Sequence, residues 1–316
     1  MNSARFSSLS ERNRAEVAWS LASTPMTTFQ LGQYPVHRVG FGAMQLPGPG
    51  VFGPPRDRDE ALRVLKRAVE LGVDHIDTAQ FYGPDVANEL IHDALHPYPD
   101  DLALVSKVGA RRDDKGAWIP ASKPDELRAD IEENLRELGV DQLAAVNLRI
   151  HNDDDPSAPT EMDRDLFDRQ LTTMITARED GLIAGIGLSS ITLDHLEIAL
   201  ERTEIVCVQN AYNLVERSSQ AVLDACTEHG IAFVPFFPLG SAFNADNPVL
   251  GNEIVRRAAA DLDRTPAQIA LAWTLSVAPN VLLIPGTSSV KHLEENLAVA
   301  DIDLPDEVKT KLDALA

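Results

Sequence analysis

Short runs of aliphatic and β-branched residues recur along the chain, separated by longer stretches whose charged residues lie three and four positions apart. Such runs are typical of buried strands, and such stretches are typical of amphipathic helices. The clearest predicted helices lie at 58–72 and at 123–139, the second opening with Ser122 before Pro124 and closing on Gly139. Eight runs are predicted as strands: 36–42, 73–77, 102–107, 143–150, 182–189, 205–210, 231–237 and 281–285.

Strands that alternate with helices form a parallel sheet that is either closed or doubly wound. A doubly wound dinucleotide-binding sheet carries a GxGxxG string that opens a helix. The nearest string here is GFG at 40–42, and no predicted helix follows it directly. Eight strands therefore favour an α/β fold of the (β/α)8 TIM-barrel type.

The chain length fits one such domain with short extensions, because the 316 residues exceed the roughly 250 that a barrel needs. Residues 1–25 contain no apolar core of the kind found in secretory signals. We expect residues 1–25 to be a disordered N-terminal tail, or to precede a natural start at Met26. Residues 26–316 are predicted to form the barrel.

Composition narrows the class of partner. The formal charge of −21 would repel phosphate backbones and anionic lipid surfaces, and no apolar run is long enough to span a bilayer. Cys207 and Cys226 lack the spacing of a disulfide framework or a zinc site. We therefore expect a cytoplasmic protein without nucleic-acid or membrane partners, and the sequence leaves its oligomeric state open.

Polar residues close several predicted strands, at the barrel end where enzymes of this fold place their chemistry. These residues are Asp77, Lys107, His151, Ser189 and Gln209. In the string HIDTAQFYG at 75–83, a turn after Asp77 also presents Tyr82. Each of these side chains has a structural explanation when taken singly, such as a turn cap, an ion pair or a buried imidazole.

Taken together, Asp77, Tyr82, Lys107 and His151 resemble the catalytic set of the aldo-keto reductase superfamily, and the resemblance runs from about residue 28 to the C-terminus. It implies an enzyme that reduces a carbonyl, with Tyr82 as the general acid. A free phenol has a pKa of about 10 and donates poorly near pH 7. A desolvated Lys107 ammonium, oriented by Asp77, would raise its acidity, while His151 would orient the substrate oxygen or share the proton.

The same resemblance implies NADPH as cofactor, with NADH possible because Gly286 and His292 replace basic residues that many relatives carry for the 2′-phosphate. Ser190 stands where an Asn is common, and Phe236 where a Tyr usually stacks beneath the nicotinamide. The loop from 284 feeds a helix N-terminus suited to phosphate. The implied cofactor-binding residues are Gly42, Ser189, Ser190, Gln209, Phe236, Pro238, Leu239, Gly286, Thr287, Ser288, His292, Glu295 and Asn296.

Within the superfamily, the segments at 42–61, 81–91 and 107–120 are similar to the bacterial pyridoxal reductase group, and this implies pyridoxal as a candidate substrate that is reduced to pyridoxine. The alternative is a general aldehyde or ketone pocket. The implied substrate-binding residues are Met44, Phe52, Arg111 and Trp118.

Two other functions stay open. The first is a cofactor-binding regulatory subunit, and the second is a Schiff-base aldolase with Lys107 as nucleophile. No metal site is predicted, because His92 and His96 lack a third ligand. The run of Asp153, Asp154 and Asp155 is typical of a solvated loop more than of a magnesium site.

Overall fold

The computed structural model describes residues 28–150, 159–240 and 247–316. Its strands are β1 (Thr28–Leu31), β2 (Tyr34–His37), β3 (Phe41–Gly42), β4 (His75–Asp77), β5 (Ala103–Val108), β6 (Ala110–Arg112), β7 (Trp118–Pro120), β8 (Ala145–Arg149), β9 (Ile186–Ser189), β10 (Cys207–Gln209) and β11 (Ala232–Phe233). Its α-helices are α1 (Arg58–Glu70), α2 (Val86–Leu95), α3 (Pro124–Leu138), α4 (Arg164–Glu179), α5 (Leu193–Leu200), α6 (Gln220–His229), α7 (Glu253–Asp261), α8 (Pro266–Ser276), α9 (Val290–Leu297) and α10 (Asp306–Asp313). The expectations for residues 1–25, for His151 and for the run at 153–155 lie outside the described residues.

Seven parallel strands follow one another around the barrel in the order β3, β4, β5, β8, β9, β10 and β11. The segment at 281–285 closes the ring. The N–H of Leu283 donates to the carbonyl of Arg38 at 2.8 Å, and that of Leu282 donates to Phe233 at 2.9 Å. The eighth strand therefore consists of single bridges on either side, and the predicted (β/α)8 arrangement is confirmed.

Capping residues determine where the helices begin and end. The carboxylate of Asp57 accepts the N–H of Glu60 at 2.9 Å and begins α1. Helix α3 has Pro124 in its first turn and ends at Gly139, whose φ of 67° suits glycine. The expected start at Ser122 is one residue early, because Lys123 is the N-cap and its N–H donates to Glu126.

The hairpin of β1 and β2 covers the end of the barrel where the strands begin. Its buried Leu31 and Val36 pack with Val206, Ala232 and Leu282 in one apolar cluster. The opposite end, where the strands finish, is left accessible to ligands. Among the described residues, no helix has both the length and the apolar character that a membrane span requires.

Candidate active site

A buried ion pair joins two neighbouring strands at the end where they finish. The Lys107 ammonium, at the end of β5, donates to the carboxylate of Asp77, which closes β4. It also donates to the carbonyl of Thr78 at 3.1 Å. The second oxygen of Asp77 accepts the amide N–H of Gln209 at 2.7 Å. Asp77 and Lys107 are only 3% and 5% exposed, so their charges are shielded from water.

Tyr82 lies beside this ion pair, on the turn between β4 and α2. The Nζ atom of Lys107 is 5.0 Å from the centre of its ring. The turn needs glycine at position 83, where φ is 117° and a Cβ atom would come within 2.4 Å of Val86. The chain therefore presents the phenol through a backbone shape that most residues cannot adopt.

The environment of Lys107 favours its charged form. Burial alone would lower the pKa of Lys107, but the Asp77 carboxylate and the Tyr82 phenol outweigh it, so that this pKa lies above the ordinary value. Lys107 is therefore an ammonium throughout the neutral pH range. It can stabilise negative charge on a neighbouring oxygen.

These side chains form one wall of a cavity of about 370 Å³ that opens at the same end of the barrel. A volume of this size is in the range of small-molecule sites. The other walls come from the loops after β3, after β11 and after the closing segment. Of the predicted residues, the cavity is lined by Gly42, Met44, Asp77, Tyr82, Lys107, Gln209, Phe236, Pro238, Leu239, Gly286, Thr287 and Ser288.

Three buried polar atoms at the ends of β9 and β10, one of them on a residue that lines the cavity, could bind a nicotinamide carboxamide. Ser189 Oγ, Ser190 Oγ and Gln209 Oε1 have no hydrogen-bond partner among the described residues. All three side chains are 1% exposed or less. A buried polar atom without a partner is costly, and a carboxamide offers both a donor and an acceptor.

Two glycines bring backbones together where the predicted cofactor loop begins. A Cβ atom at Gly286 would lie 2.5 Å from the carbonyl of Gly42, and one at Gly42 would lie 2.4 Å from that of Ile284. Any side chain at these positions would force the loops apart. The glycines therefore let the loop after β3 pack directly against the loop after the closing segment, and both loops line the cavity.

The rest of the predicted cofactor loop lies on and before α9. Asn296 is buried, Glu295 is half-buried and His292 is exposed. The N-terminus of α9 is already partly satisfied, because the N–H of Val290 donates to Glu60 at 3.2 Å. A phosphate here would share the helix N-terminus with that carboxylate.

The predicted substrate-binding aromatics surround Arg112. Its guanidinium lies 4.3 Å from the centre of the Trp118 ring and 5.4 Å from that of Phe52, and it donates to the carbonyl of Val51. It thereby joins the loop after β3 to the hairpin of β6 and β7. Arg111 faces away from this cluster and donates twice to Asp130 on α3.

Sequence reasoning missed two groups of charged side chains. The guanidinium of Arg149 lies 5.9 Å from the centre of the Phe236 ring. Its signal in the sequence is a cation two residues before His151. Carboxylate oxygens of Asp85, Glu133 and Glu137 also lie within 4.8 Å of one another. The spacing of Glu133 and Glu137 placed those two on one helix face, but nothing in the sequence linked them to Asp85.

Comparison with known proteins assigns the family. The sequence model of the aldo/keto reductase family matches residues 38–316 of this chain. A pyridoxine 4-dehydrogenase of Escherichia coli is 48% identical over 92% of this chain and 98% of its own length. An uncharacterized oxidoreductase of Schizosaccharomyces pombe is 39% identical over 90% of this chain and 89% of its own.

A solved structure agrees with these sequence matches. An aldo/keto reductase from Klebsiella pneumoniae, in complex with NADP and acetate, superposes with a TM-score of 0.74 and 26% identity, covering 92% of this chain and 95% of the other. The chain belongs to the aldo/keto reductase family and is an NAD(P)H-dependent oxidoreductase. The resemblance inferred from the strand-end residues is thereby confirmed.

Proposed function

We propose that this enzyme reduces an aldehyde with NADPH, with Tyr82 as the proton donor and pyridoxal as the candidate substrate. The observation that carries the proposal is the buried contact of Asp77 with Lys107 beside Tyr82, on the wall of a cavity that eight of the thirteen predicted cofactor residues also line. Support for the substrate comes from the 48% identity to a pyridoxine 4-dehydrogenase.

The cofactor, when bound, supplies hydride to the carbonyl carbon. Ser189, Ser190 and the free Oε1 of Gln209 would hold its carboxamide, while the amide N–H of Gln209 stays with Asp77. Phe236 would give an aromatic face to the ring, and Gly286, Thr287 and Ser288 would hold the adenosine half. The remaining predicted contacts are those of Gly42, Pro238, Leu239, His292, Glu295 and Asn296.

The chain's own task is to deliver a proton to the carbonyl oxygen. The Tyr82 phenol donates it, and the adjacent Lys107 ammonium stabilises the phenolate that remains. Asp77 holds the ammonium in place and keeps it charged. His151, which lies outside the described residues, is proposed to orient the substrate oxygen.

The protonation state of Lys107 disfavours the alternative of a Schiff-base aldolase. An amine nucleophile must lose its proton, whereas the Asp77 carboxylate and the Tyr82 phenol outweigh the effect of burial and raise the pKa of Lys107. The regulatory-subunit alternative predicts cofactor binding without turnover.

NADPH is the proposed cofactor with a modest preference over NADH. The exposed His292 would meet a 2′-phosphate, and the Glu60 carboxylate, which accepts the N–H of Val290 at the start of α9, would weaken the attraction. The two cysteines are free thiols and buried, a pattern that suits the reducing cytosol where we propose the enzyme acts.

For the substrate, the aromatic surfaces of Trp118 and Phe52 flank Arg112 at the edge of the site. We propose that a planar pyridine ring is favoured there over an aliphatic chain. Met44 lines the cavity itself, whereas Arg111 is proposed to act on the substrate only through the position of its hairpin.

The test is a carbonyl panel of pyridoxal, benzaldehyde and a small sugar aldehyde, each assayed with NADPH and with NADH. We expect pyridoxal with NADPH to give the highest kcat/KM. If pyridoxal ranks no better than benzaldehyde, the enzyme is a general aldehyde reductase. If no carbonyl is reduced although NADPH binds, the regulatory alternative replaces the reductase.

A further inference from the structure

A chain of buried hydrogen bonds lies behind the ion pair, between the sheet and the helices. Asp77 and Lys107 face the inside of the barrel, so the side chains that follow and precede them, Thr78 and Ser106, face the helix layer. The hydroxyl of Thr78 donates to Asn88 Oδ1 at 2.8 Å. That of Ser106 donates to Asn134 Oδ1 at 2.6 Å.

The two asparagines complete this chain. Asn88 on α2 donates to Asn134 Oδ1 at 2.9 Å, and Asn134 on α3 donates to the carbonyl of Asp130 at 2.7 Å. All four side chains, Thr78, Asn88, Ser106 and Asn134, are fully buried. A buried polar network that is fully bonded allows one arrangement and resists others, because each broken bond leaves an unsatisfied group.

Thr78 connects this chain of hydrogen bonds to the Lys107 ammonium. Its carbonyl is one of the acceptors of the Lys107 ammonium, at 3.1 Å. Its N–H donates to the carbonyl of Val105 on β5 at 2.8 Å, so a hydrogen bond to the neighbouring strand fixes the backbone of Thr78. A shift of Thr78 would move one acceptor of Lys107 and free the ammonium to turn away from Tyr82.

We propose that Asn88, with Asn134 as its partner, is a positioning residue that holds Thr78 where its carbonyl orients the Lys107 ammonium toward Tyr82. The expected effect of Asn88 on the reaction rate rests on the proposed function. Its expected effect on the titration of Lys107 does not depend on that function. None of the four residues lines the cavity or touches a reacting atom, so their role is to position and not to catalyse.

The sharpest variant is Thr78→Val, which keeps the side-chain shape and removes only the hydroxyl that Asn88 accepts. We expect kcat for aldehyde reduction to fall about tenfold, since small misplacements of catalytic groups cost this much or more. NADPH affinity, measured by fluorescence titration, should stay within about twofold because the cofactor contacts lie elsewhere. Thr78→Ser keeps the hydroxyl and should restore most of the rate.

The pH profile separates positioning from a loss of packing. Without a fixed Thr78 carbonyl the ammonium loses an acceptor, so the pKa of Lys107 should fall from its raised value. The alkaline decline of kcat should then begin at lower pH in Thr78→Val than in the parent or in Thr78→Ser. A second readout needs no turnover: the lysine ¹³Cε resonance of Lys107, assigned by its absence in Lys107→Met, should titrate at lower pH.

Thr274→Val is the matched control. Thr274 is also fully buried, but its hydroxyl donates to Ala270 within α8 at 2.9 Å, away from the ion pair. This variant should leave both kcat and the Lys107 titration unchanged. If Thr78→Val does not fold, Ser106→Ala, which removes one bond to Asn134, should shift both readouts in the same direction by a smaller amount.

The outcomes are distinct. If the parent reduces no carbonyl but the Lys107 resonance still titrates at lower pH in Thr78→Val, the proposed function fails and the positioning role stands. If the parent is active and Thr78→Val changes neither kcat nor the Lys107 titration, the positioning role is overturned. An equal change in Thr274→Val would also overturn it, because the effect would then follow from any buried hydroxyl.

Discussion

The two ends of the barrel bury side chains of opposite character. Where the strands begin, Leu31 and Val36 of the hairpin pack on other apolar residues. Where the strands finish, Asp77 and Lys107 are buried almost as deeply. Apolar burial stabilises a fold by about 25 cal/mol per Å², whereas a buried ion pair recovers little beyond its own desolvation cost.

The apolar end is therefore expected to contribute mainly to the stability of the fold, and the polar end mainly to the reaction. We expect the apolar end to lose contacts without affecting the reacting groups. The polar end carries charged groups that, under the proposed function, the reaction requires. Mutations at the two ends should therefore change different measurements.

Lys107→Met should abolish most carbonyl reduction at the polar end. We expect kcat to fall by about 10²-fold or more, because the ammonium that activates Tyr82 is lost. The buried Asp77 carboxylate then loses its charge partner, so Tm should fall as well. The measurements are single-turnover NADPH oxidation and NADPH titration, the latter expected to change little.

The control is Lys123→Met, whose side chain is 79% exposed and pairs with Glu126 on the surface. It should leave kcat and Tm nearly unchanged. Retention of more than about a tenth of parental kcat in Lys107→Met would mean that Tyr82 is activated by another group.

Leu31→Ala tests the apolar end. Leu31 is 2% exposed, and truncation of a buried leucine costs about 2–5 kcal/mol of the free energy of unfolding. Urea denaturation should show this loss, while kcat per folded molecule stays unchanged. Ile254→Ala is the control, since Ile254 is 38% exposed and its truncation should cost less than about 0.5 kcal/mol. A parallel loss of kcat in Leu31→Ala would contradict the separation of the two ends.

His292→Arg should sharpen the choice of cofactor. A guanidinium at this exposed position can form a charge-assisted hydrogen bond to a 2′-phosphate, worth about 1.5 kcal/mol, so the ratio of kcat/KM for NADPH over NADH should rise about tenfold. His229→Arg, on the exposed end of α6, is the control with the same charge change. An unchanged ratio in His292→Arg would place the 2′-phosphate elsewhere.

Glu137→Gln should change the pH dependence of stability. Burial, followed by the negative charge of Asp85, raises the pKa of Glu137 to about 8, against an opposing hydrogen bond from Asn88 and with Glu133 adding to the rise. The protonated form is therefore favoured in the folded state. Its contribution to stability is fully present below the ordinary glutamate pKa and is lost as pH rises through about 8.

The parent should accordingly lose Tm as the pH rises from the ordinary glutamate pKa to about 8, and Glu137→Gln should lose less over the same interval. The control is Glu132→Gln, where the carboxylate pairs with Arg128 and is 55% exposed. Equal pH dependence in the parent and Glu137→Gln would show that Glu137 is ionised throughout.

Sequence reasoning reached the fold and the contact of Asp77 with Lys107 because strand ends converge in a parallel barrel. Once a strand was predicted from its apolar residues, its last residue could be placed at the end of the barrel where the strands finish. The positions of Arg111 and Arg112 could not be assigned in this way. They alternate across a hairpin that was not predicted, and the pairing of its strands decides which one meets Trp118.

The asparagine pair was missed for a related reason. Asn88 and Asn134 lie on helices whose apolar spacing predicts a buried face, and a polar residue on that face carries no sign of its partner. Their contact depends on how α2 and α3 pack, over a separation of 46 residues. Such contacts become visible only when the tertiary structure is known.

The role of Tyr82 as proton donor is tested most directly by Tyr82→Phe, assayed by single-turnover NADPH oxidation with pyridoxal, together with NADPH titration. We predict that reduction slows by about 10²- to 10⁴-fold, the usual contribution of a general acid, while the dissociation constant for NADPH is unchanged. A variant that keeps more than about a tenth of the parental rate would contradict the assignment and would move the proton donor away from Tyr82.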